Sequence, residues 1–286
     1  MLERQPSRTA LAAATHRAAH QLLERGRIFA DPLAVPMLGQ HAETVAREAE
    51  AEPARRGMRL FIAARSNIAE TALKVGVEAR GVAQLVVLGA GLDTFAYRNP
   101  FGDRLRVFEV DHPATQAWKR RRLSEAGIAT PVGLTFAPVD FERAGLLEGL
   151  AAAGFDPARR SFFTWLGVVP YLSEAAVVST LAVIAGLPGG AEVVFDYADP
   201  PESLSPEQQA AHRLRAERVA ALGEPWLSYF EPADLHARLR GLGFASVEDL
   251  GPRDLAARYF GADPARQIPG RQIPERGGHV LVAATA

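Results

Sequence analysis

The chain has 286 residues, no cysteine and a formal net charge of -1. The absence of cysteine excludes disulfides, thiolate metal sites and cysteine nucleophiles. The near-neutral balance gives no electrostatic reason to bind nucleic acid or an anionic membrane, and no apolar run reaches the length of a membrane span. The first residues lack the apolar core of a signal peptide, so the expected location is cytoplasmic.

Residues 8–26 are alanine-rich, with Leu11, Ala14, Ala18 and Leu22 on one helical face. Asp31-Pro32 breaks that helix and begins a short one. Residues 55–75 return to helical spacing at Leu60, Ile62, Ile68 and Leu73. Together, residues 1–80 read as a helical cap ahead of the core. Strands are predicted at 84–89, 105–110, 134–139, 161–166 and 191–197, with helices between most of them, including 113–127 and 173–186. Such alternation gives an α/β domain: a parallel sheet with helices on both faces. Residues 198–232 form a long insertion with Pro200-Pro201, Pro206 and a polar helix near 205–222, the pattern of a substrate lid. A helix at 234–242, a strand at 245–250, an irregular proline-rich loop at 252–276 and a last strand at 279–284 complete one expected domain, 1–286.

The chemistry concentrates where the first strand ends. Gln84 to Leu88 is apolar after its first residue and runs into Gly89-Ala90-Gly91. Glycines there let the backbone turn and approach a ligand with no Cβ in the way. Twenty residues after Gly91, Asp111 ends the second strand. An acid at that place can accept hydrogen bonds from a ribose diol. These features describe a nucleoside crevice at the carboxyl ends of parallel strands. Asp111 could instead cap the helix that begins at Pro113. Glu109 points to the same side of the strand, but Asp111 has the terminal position. Thr94 stands where a dinucleotide fingerprint needs glycine or alanine, so nicotinamide binding is disfavoured.

The strings LGAGLDTFAYR (88–98) and FEVDHPATQAWKRRRL (108–123) closely resemble the leucine carboxyl methyltransferase-like family, class I S-adenosylmethionine (SAM)-dependent enzymes. The likeness runs from about Asp31-Pro32 to the final strand. It implies a Rossmann-like, seven-stranded sheet with a reversed last hairpin, and O-methylation of a small molecule at a carboxylate or a hydroxyl. By the same resemblance, Gly89, Ala90 and Gly91 surround the methionine part of SAM, and Asp111 with His112 lies at the ribose. Asp140-Phe141 meets the adenine edge. Arg65, 24 residues before Gly89, pairs with the SAM carboxylate. Leu166 takes the place of a family glutamate in FFTWLGVVPYL (162–172), which removes a carboxylate from the pocket. Tyr171, Asp196 and Tyr197 are substrate candidates, and Tyr171 and Tyr197 could equally be core. A hydroxyl acceptor would need a base, for which His112 and Asp196 are the first candidates. No catalytic residue is assigned.

No metal constellation is expected. His16 and His20 have i, i+4 spacing but no acidic third ligand, and no histidine forms a close cluster with acids. The rival readings are an NAD(P)-dependent oxidoreductase and a non-catalytic SAM-binding or interaction protein. The acceptor's identity and the oligomeric state are left open by the sequence.

Overall fold

A computed structural model describes residues 7–139, 145–261 and 273–286. The chain divides into two compact units, Met1–Thr164 and Trp165–Ala286.

The first unit begins with four helices: α1 (Arg8–Leu23), α2 (Ala34–Leu38), α3 (Ala42–Ala51) and α4 (Arg56–Ala79). Ser7 starts α1 by accepting the Ala10 N–H on its hydroxyl at 3.0 Å. Then come β1 (Gln84–Leu88), β2 (Arg106–Asp111), α5 (Pro113–Glu125), β3 (Leu134–Pro138), α6 (Leu146–Ala152) and β4 (Ser161–Trp165). The strands pair in parallel in the order β3-β2-β1-β4. Every side chain of β1 is buried, as expected of a strand covered on both faces. Its one polar member, Gln84, is fully satisfied. It donates to the Asp156 carbonyl and the Ser161 hydroxyl, and accepts the Asp156 N–H. Ala14, Ala18 and Ala19 of α1 join Ala34, Met37, Leu38, Val45, Leu92 and Leu123 in one buried cluster. Small residues on α1 let its backbone lie close to its neighbours.

The second unit holds α7 (Glu174–Ala185), β5 (Ala191–Ala198), α8 (Pro206–Ala221), α9 (Pro232–Leu242), β6 (Phe244–Leu250), α10 (Pro252–Phe260) and β7 (Gly278–Thr285). Its strands run in the order β5-β7-β6, with β7 antiparallel to both neighbours. The expected reversed hairpin is therefore present, and the protein is of the α/β class with a mixed set of seven strands. One expectation is corrected. The stretch from 252 is not all irregular: residues 252–260 form α10, with Gly251 N–H held by Asp254. Proline at the first helical position costs nothing there, because its missing N–H has no intrahelical partner.

The deepest charged pair is Glu109 on β2 with Lys119 on α5. Their charged atoms lie 2.7 Å apart, with side chains 0% and 1% exposed. Burial pushes the Glu109 carboxyl up, to about 7, against the pull of Lys119. The Lys119 ammonium also lies 5.4 Å from the centre of the Tyr97 ring. Removing one member of such a pair strands a buried charge, which costs about 3–5 kcal/mol. Chemical denaturation should therefore show Lys119→Ala destabilised by about that amount. The double change Glu109→Leu with Lys119→Met should recover most of it. A double variant as unstable as the single one would mean that shape, not charge, sets the cost.

Candidate cofactor site

The turn after β1 is built by backbone geometry. Gly89 and Gly91 have φ of 65° and 47°, in the left-handed region that favours glycine. The N–H groups of Gly89 and Ala90 both donate to the Val110 carbonyl, at 2.8 and 3.1 Å. The Gly91 N–H donates to Asp111 Oδ2 at 2.5 Å, and the His112 N–H donates to Asp111 Oδ1 at 2.7 Å. One carboxylate thus fixes the glycine turn and the entry to α5. Burial pushes the Asp111 carboxyl up, opposed by these two backbone donors. Each oxygen has taken one donor and keeps acceptor capacity for another.

The helix-cap alternative for Asp111 is corrected: the cap of α5 is His112. Its Nδ1 accepts the Ala114 N–H at 3.2 Å. Glu109, held by Lys119, is not available at the turn.

The helical cap lies directly on this turn. A Cβ placed on Gly91 would stand 3.0 Å from the Ala10 Cβ on α1. Ser7 N–H reaches the Thr115 hydroxyl on α5 at 3.5 Å. Arg17 Nη2 donates to the Leu92 carbonyl at 2.5 Å. Behind the turn sits Asp31, 1% exposed. It accepts the Thr94 hydroxyl at 2.7 Å and the Leu33 N–H at 3.1 Å. Arg17 Nε lies 3.2 Å from it and Arg98 Nε 3.5 Å. Arg98 also grips Glu70 of α4 with both terminal nitrogens and stacks over the Phe29 ring at 5.1 Å. Thr94 is therefore not a failed glycine of another fingerprint. It is the hydroxyl that joins the cap to the turn, and Asp31 and Arg98 are structural partners that the sequence reading did not single out. Their signal was the charge carried by otherwise apolar stretches, in Asp31-Pro32 and in DTFAYR.

Arg65 is 9% exposed on α4. His16 of α1 is depressed to about 4 by burial and then by the charges of Arg55, Arg59 and Arg65. Arg65 thus belongs to the positive face that α4 turns toward α1. Its neighbour Arg59 is committed to a two-pronged pair with Glu24, both bonds 2.8 Å. His20 is a structural residue: its Nε2 accepts the Ile28 and Phe29 N–H groups at 3.3 and 3.4 Å. Asp140 and Phe141 lie outside the described residues.

The remaining candidates fall in the second unit. Leu166 is half-buried in the turn after β4. Asp196 Oδ1 accepts the adjacent Gly167 N–H at 2.6 Å. Tyr171 is half-buried, in the single turn of 3-10 helix at Val169–Tyr171. Tyr197 is 2% exposed. Its hydroxyl donates to Asp249 at 2.5 Å, and its ring stacks on His279 at 4.8 Å, so it stands inside a closed cluster. That cluster corrects the expectation of no histidine among acids. His279 reaches Asp249 at 3.1 Å and Asp199 at 3.2 Å, and His236 reaches Asp249 at 2.7 Å. Among the described residues, no three His, Asp or Glu are arranged to hold a metal ion. No helix among them is long and apolar enough to cross a membrane.

A parallel sheet whose first strand ends in a glycine turn closed by an acid from the second defines a nucleoside-binding α/β protein. The fold is shared with two solved structures. One is a DUF574 family protein from Streptomyces avermitilis, at 16% identity and a TM-score of 0.57, covering 95% of this chain and 97% of that one. The other is described as a methyltransferase, from Thermobifida fusca, at 16% identity and a TM-score of 0.54, covering 98% of this chain and 95% of that one.

The family model described as Leucine carboxyl methyltransferase matches residues 10–185, and the chain belongs to that family. YktD of Bacillus subtilis, named as a candidate SAM-dependent methyltransferase, is 38% identical over 186 residues, which are 63% of this chain and 60% of YktD. A Mycobacterium marinum relative with the same kind of name is 29% identical over 280 residues, covering 90% of this chain and 87% of its own. The match to YktD thus spans about three fifths of that relative's length.

The polar joint beneath the turn gives a direct test. Asp31→Ala leaves Arg17 and Arg98 facing an emptied buried position, so unfolding should be easier by about 3 kcal/mol or more. Thermal and denaturant unfolding would check this. A loss under about 1 kcal/mol would show that the joint behaves as a surface ion pair.

Proposed function

We propose that the protein is a SAM-dependent O-methyltransferase acting on a carboxylate of a small molecule. The observation that carries this reading is the Gly89–Ala90–Gly91 turn locked onto Asp111. The turn fits the cofactor because Gly89 turns the chain in the left-handed region with no Cβ, beside a carboxylate with acceptor capacity left for a diol. The family and the names of the relatives support SAM over a dinucleotide. Asp111 takes the ribose hydroxyls, with His112 beside it. Arg65 takes the methionine carboxylate, for which the planar guanidinium fork is suited. Asp140 and Phe141 serve the adenine.

When bound, SAM supplies an electrophilic methyl group on a sulfonium. The chain's own task is then to hold the acceptor oxygen in line and keep water away. An acceptor carboxylate is already ionised at neutral pH and needs no base. The fate of the candidate base His112 supports this choice: with Nδ1 accepting the Ala114 N–H, the neutral ring carries its proton on Nε2 and has no free lone pair to act as a base. Leu166, where the family has glutamate, keeps a like charge away from an anionic acceptor. The 198–232 insertion covers the acceptor, with Tyr171 beneath it.

Calorimetry should show binding of SAM and S-adenosylhomocysteine (SAH), and none of NAD or NADP. Asp111→Ala should weaken SAH by about tenfold to a hundredfold, since each charged hydrogen bond is worth about 1.5–3 kcal/mol. Glu109→Gln, in a folded protein, should weaken it far less. Nicotinamide binding, or the reverse order of the two variants, would sink the assignment.

The acceptor group can be read from the product. With tritiated-methyl SAM and a panel of small carboxylic acids, phenols and alcohols, the label should enter carboxylic acids. Mild alkali should then release it as volatile methanol, because esters hydrolyse and ethers do not. Alkali-stable label would show that the acceptor oxygen is a hydroxyl.

A further inference from the structure

The insertion after β5 is an unusual element. Its helix α8 has a capping box at Ser205 and Gln208, but no buried residue, and Leu214 is 68% exposed. A helix so poorly packed takes little orientation from apolar contact. Its orientation must come from its ends.

Both ends meet one short stretch before and within β7. Where the insertion leaves β5, the Asp199 N–H donates to the Gly277 carbonyl at 3.0 Å and the Gly277 N–H returns to Asp199 Oδ2 at 2.7 Å. Where the insertion comes back, the Phe230 N–H donates to the Ala198 carbonyl at 3.1 Å. Arg276 Nη1 bridges exit and return, donating to Asp199 Oδ1 at 3.1 Å and to Glu231 Oε1 at 2.8 Å. The helix itself is tied to the same place, because Gln208 Nε2 donates to the Arg276 carbonyl at 3.0 Å.

His279 anchors this knot from below. Its two ring nitrogens lie 3.2 Å from Asp199 Oδ2 and 3.1 Å from Asp249 Oδ1. A ring between two carboxylates donates from both nitrogens, so it is an imidazolium. Tyr197 of β5 stacks on it, and His236 of α9 shares Asp249. Arg276 and Glu231 complete the charged neighbours on the insertion side. On the α10 side, a Cβ on Gly251 would stand 3.2 Å from His279 Cε1, and Asp254 is occupied by the Gly251 N–H. Arg276 and Glu231 are partly exposed, and such pairs alone are weak. The buried carboxylate of Asp199 is what gives the knot strength, since its side chain is 0% exposed.

We propose that Arg276 and His279 are positioning residues for methyl transfer: they clamp the two roots of the 198–232 insertion, and so fix α8 and the seat of its His212 against the Trp226 and Tyr229 rings. This rests on the reading that the insertion covers the acceptor. There His212 lies 5.2 Å from Trp226 and 5.4 Å from Tyr229, centre to centre. Trp226 and Tyr229 flank Leu227 and Ser228, whose N–H groups and hydroxyl are held separately by the Pro170 and Val169 carbonyls, so releasing the clamp loosens α8 and its His212 against these rings without touching the glycine turn.

The pH sense follows. Burial lowers the affinity of His279 for its proton, but Asp199 and Asp249 outweigh it and hold the group at about 9. That lies above its ordinary value, so the clamp is complete below about 6.5 and is lost as pH rises through about 9.

The test is limited trypsinolysis of the full chain, following cuts after Arg213, Arg215 and Arg218 by mass spectrometry, with SAH calorimetry alongside. Arg276→Ala and His279→Gln should speed cleavage about tenfold at pH 7, since cleavage follows the open population. Arg276→Lys should restore much of the protection. SAH affinity should stay within about twofold of wild type, a change too small to register as a lost contact. Wild-type cleavage, scaled to an unfolded peptide, should climb as pH passes about 9, and His279→Gln should show no such step. With the carboxylic acid that turns over best, both variants should raise KM more than they lower kcat. Unchanged cleavage in both variants would overturn the clamp. Faster cleavage with unchanged acceptor KM would overturn the positioning role and the acceptor-lid reading, while intact SAH binding would leave the cofactor assignment standing.

Discussion

One carboxylate organises the candidate cofactor site. Asp111 holds the Gly91 N–H with one oxygen and the His112 N–H with the other, and thereby joins the turn after β1 to the start of α5. The turn needs this bond because the Val110 carbonyl takes the Gly89 and Ala90 N–H groups and leaves that of Gly91, in the left-handed region, to Asp111. The bond in turn needs burial, since an exposed carboxylate would exchange the N–H for water. Part of that burial comes from α1, whose Ala10 Cβ would stand only 3.0 Å from a Cβ at position 91. A bulkier residue at position 10 would displace the helix or the turn. The alanine-rich composition of α1 is therefore a condition of the site, besides being favourable for helix formation.

The cap stays on the turn through a second polar device. Asp31 gathers Thr94 from the turn, Arg17 from α1 and Arg98 from the segment beyond, and Arg98 passes the connection to Glu70 on α4. Buried charges on this scale are costly unless every member is paired. Here each serves another, so the network specifies one arrangement of cap and turn. Burial pushes the Glu70 carboxyl up, against the pull of Arg98. The site is thus held from above by small apolar residues and from behind by a closed polar joint.

Much of this was legible in the sequence, and the failures have physical causes. Mostly apolar runs such as Leu85–Leu88 and Phe162–Trp165 mark buried parallel strands, and each lies where expected. The prolines at 113 and 206 mark helix starts, because a first-turn residue has no N–H to lose, whereas the helix expected from 234 begins two residues earlier, at Pro232. Proline misled the reading at 252, where it begins α10 within what reads as irregular chain. At Asp111 the type of residue was informative but its backbone partners were not, since a bond from Gly91 across 20 positions leaves no periodic trace. Thr94 read as a missing glycine because a fingerprint describes one solution to phosphate approach, and this chain solves a different problem there. The His279 cluster was invisible for a related reason. Its members, at 199, 236, 249 and 279, are brought together by β-strand pairing, and no local spacing announces them.

The two units divide the work in this account. The first presents rigid backbone and a fixed carboxylate. The second carries a thinly packed helix secured at its roots. The central claim is that the glycine turn with Asp111 is a ready-made nucleoside site. The most direct measurement is a backbone amide titration by NMR with SAH, using NAD as the comparison. The account predicts that the amides of Gly89, Ala90, Gly91 and His112 move most with SAH and stay still with NAD. Stationary amides at these four positions, with binding seen elsewhere, would contradict it.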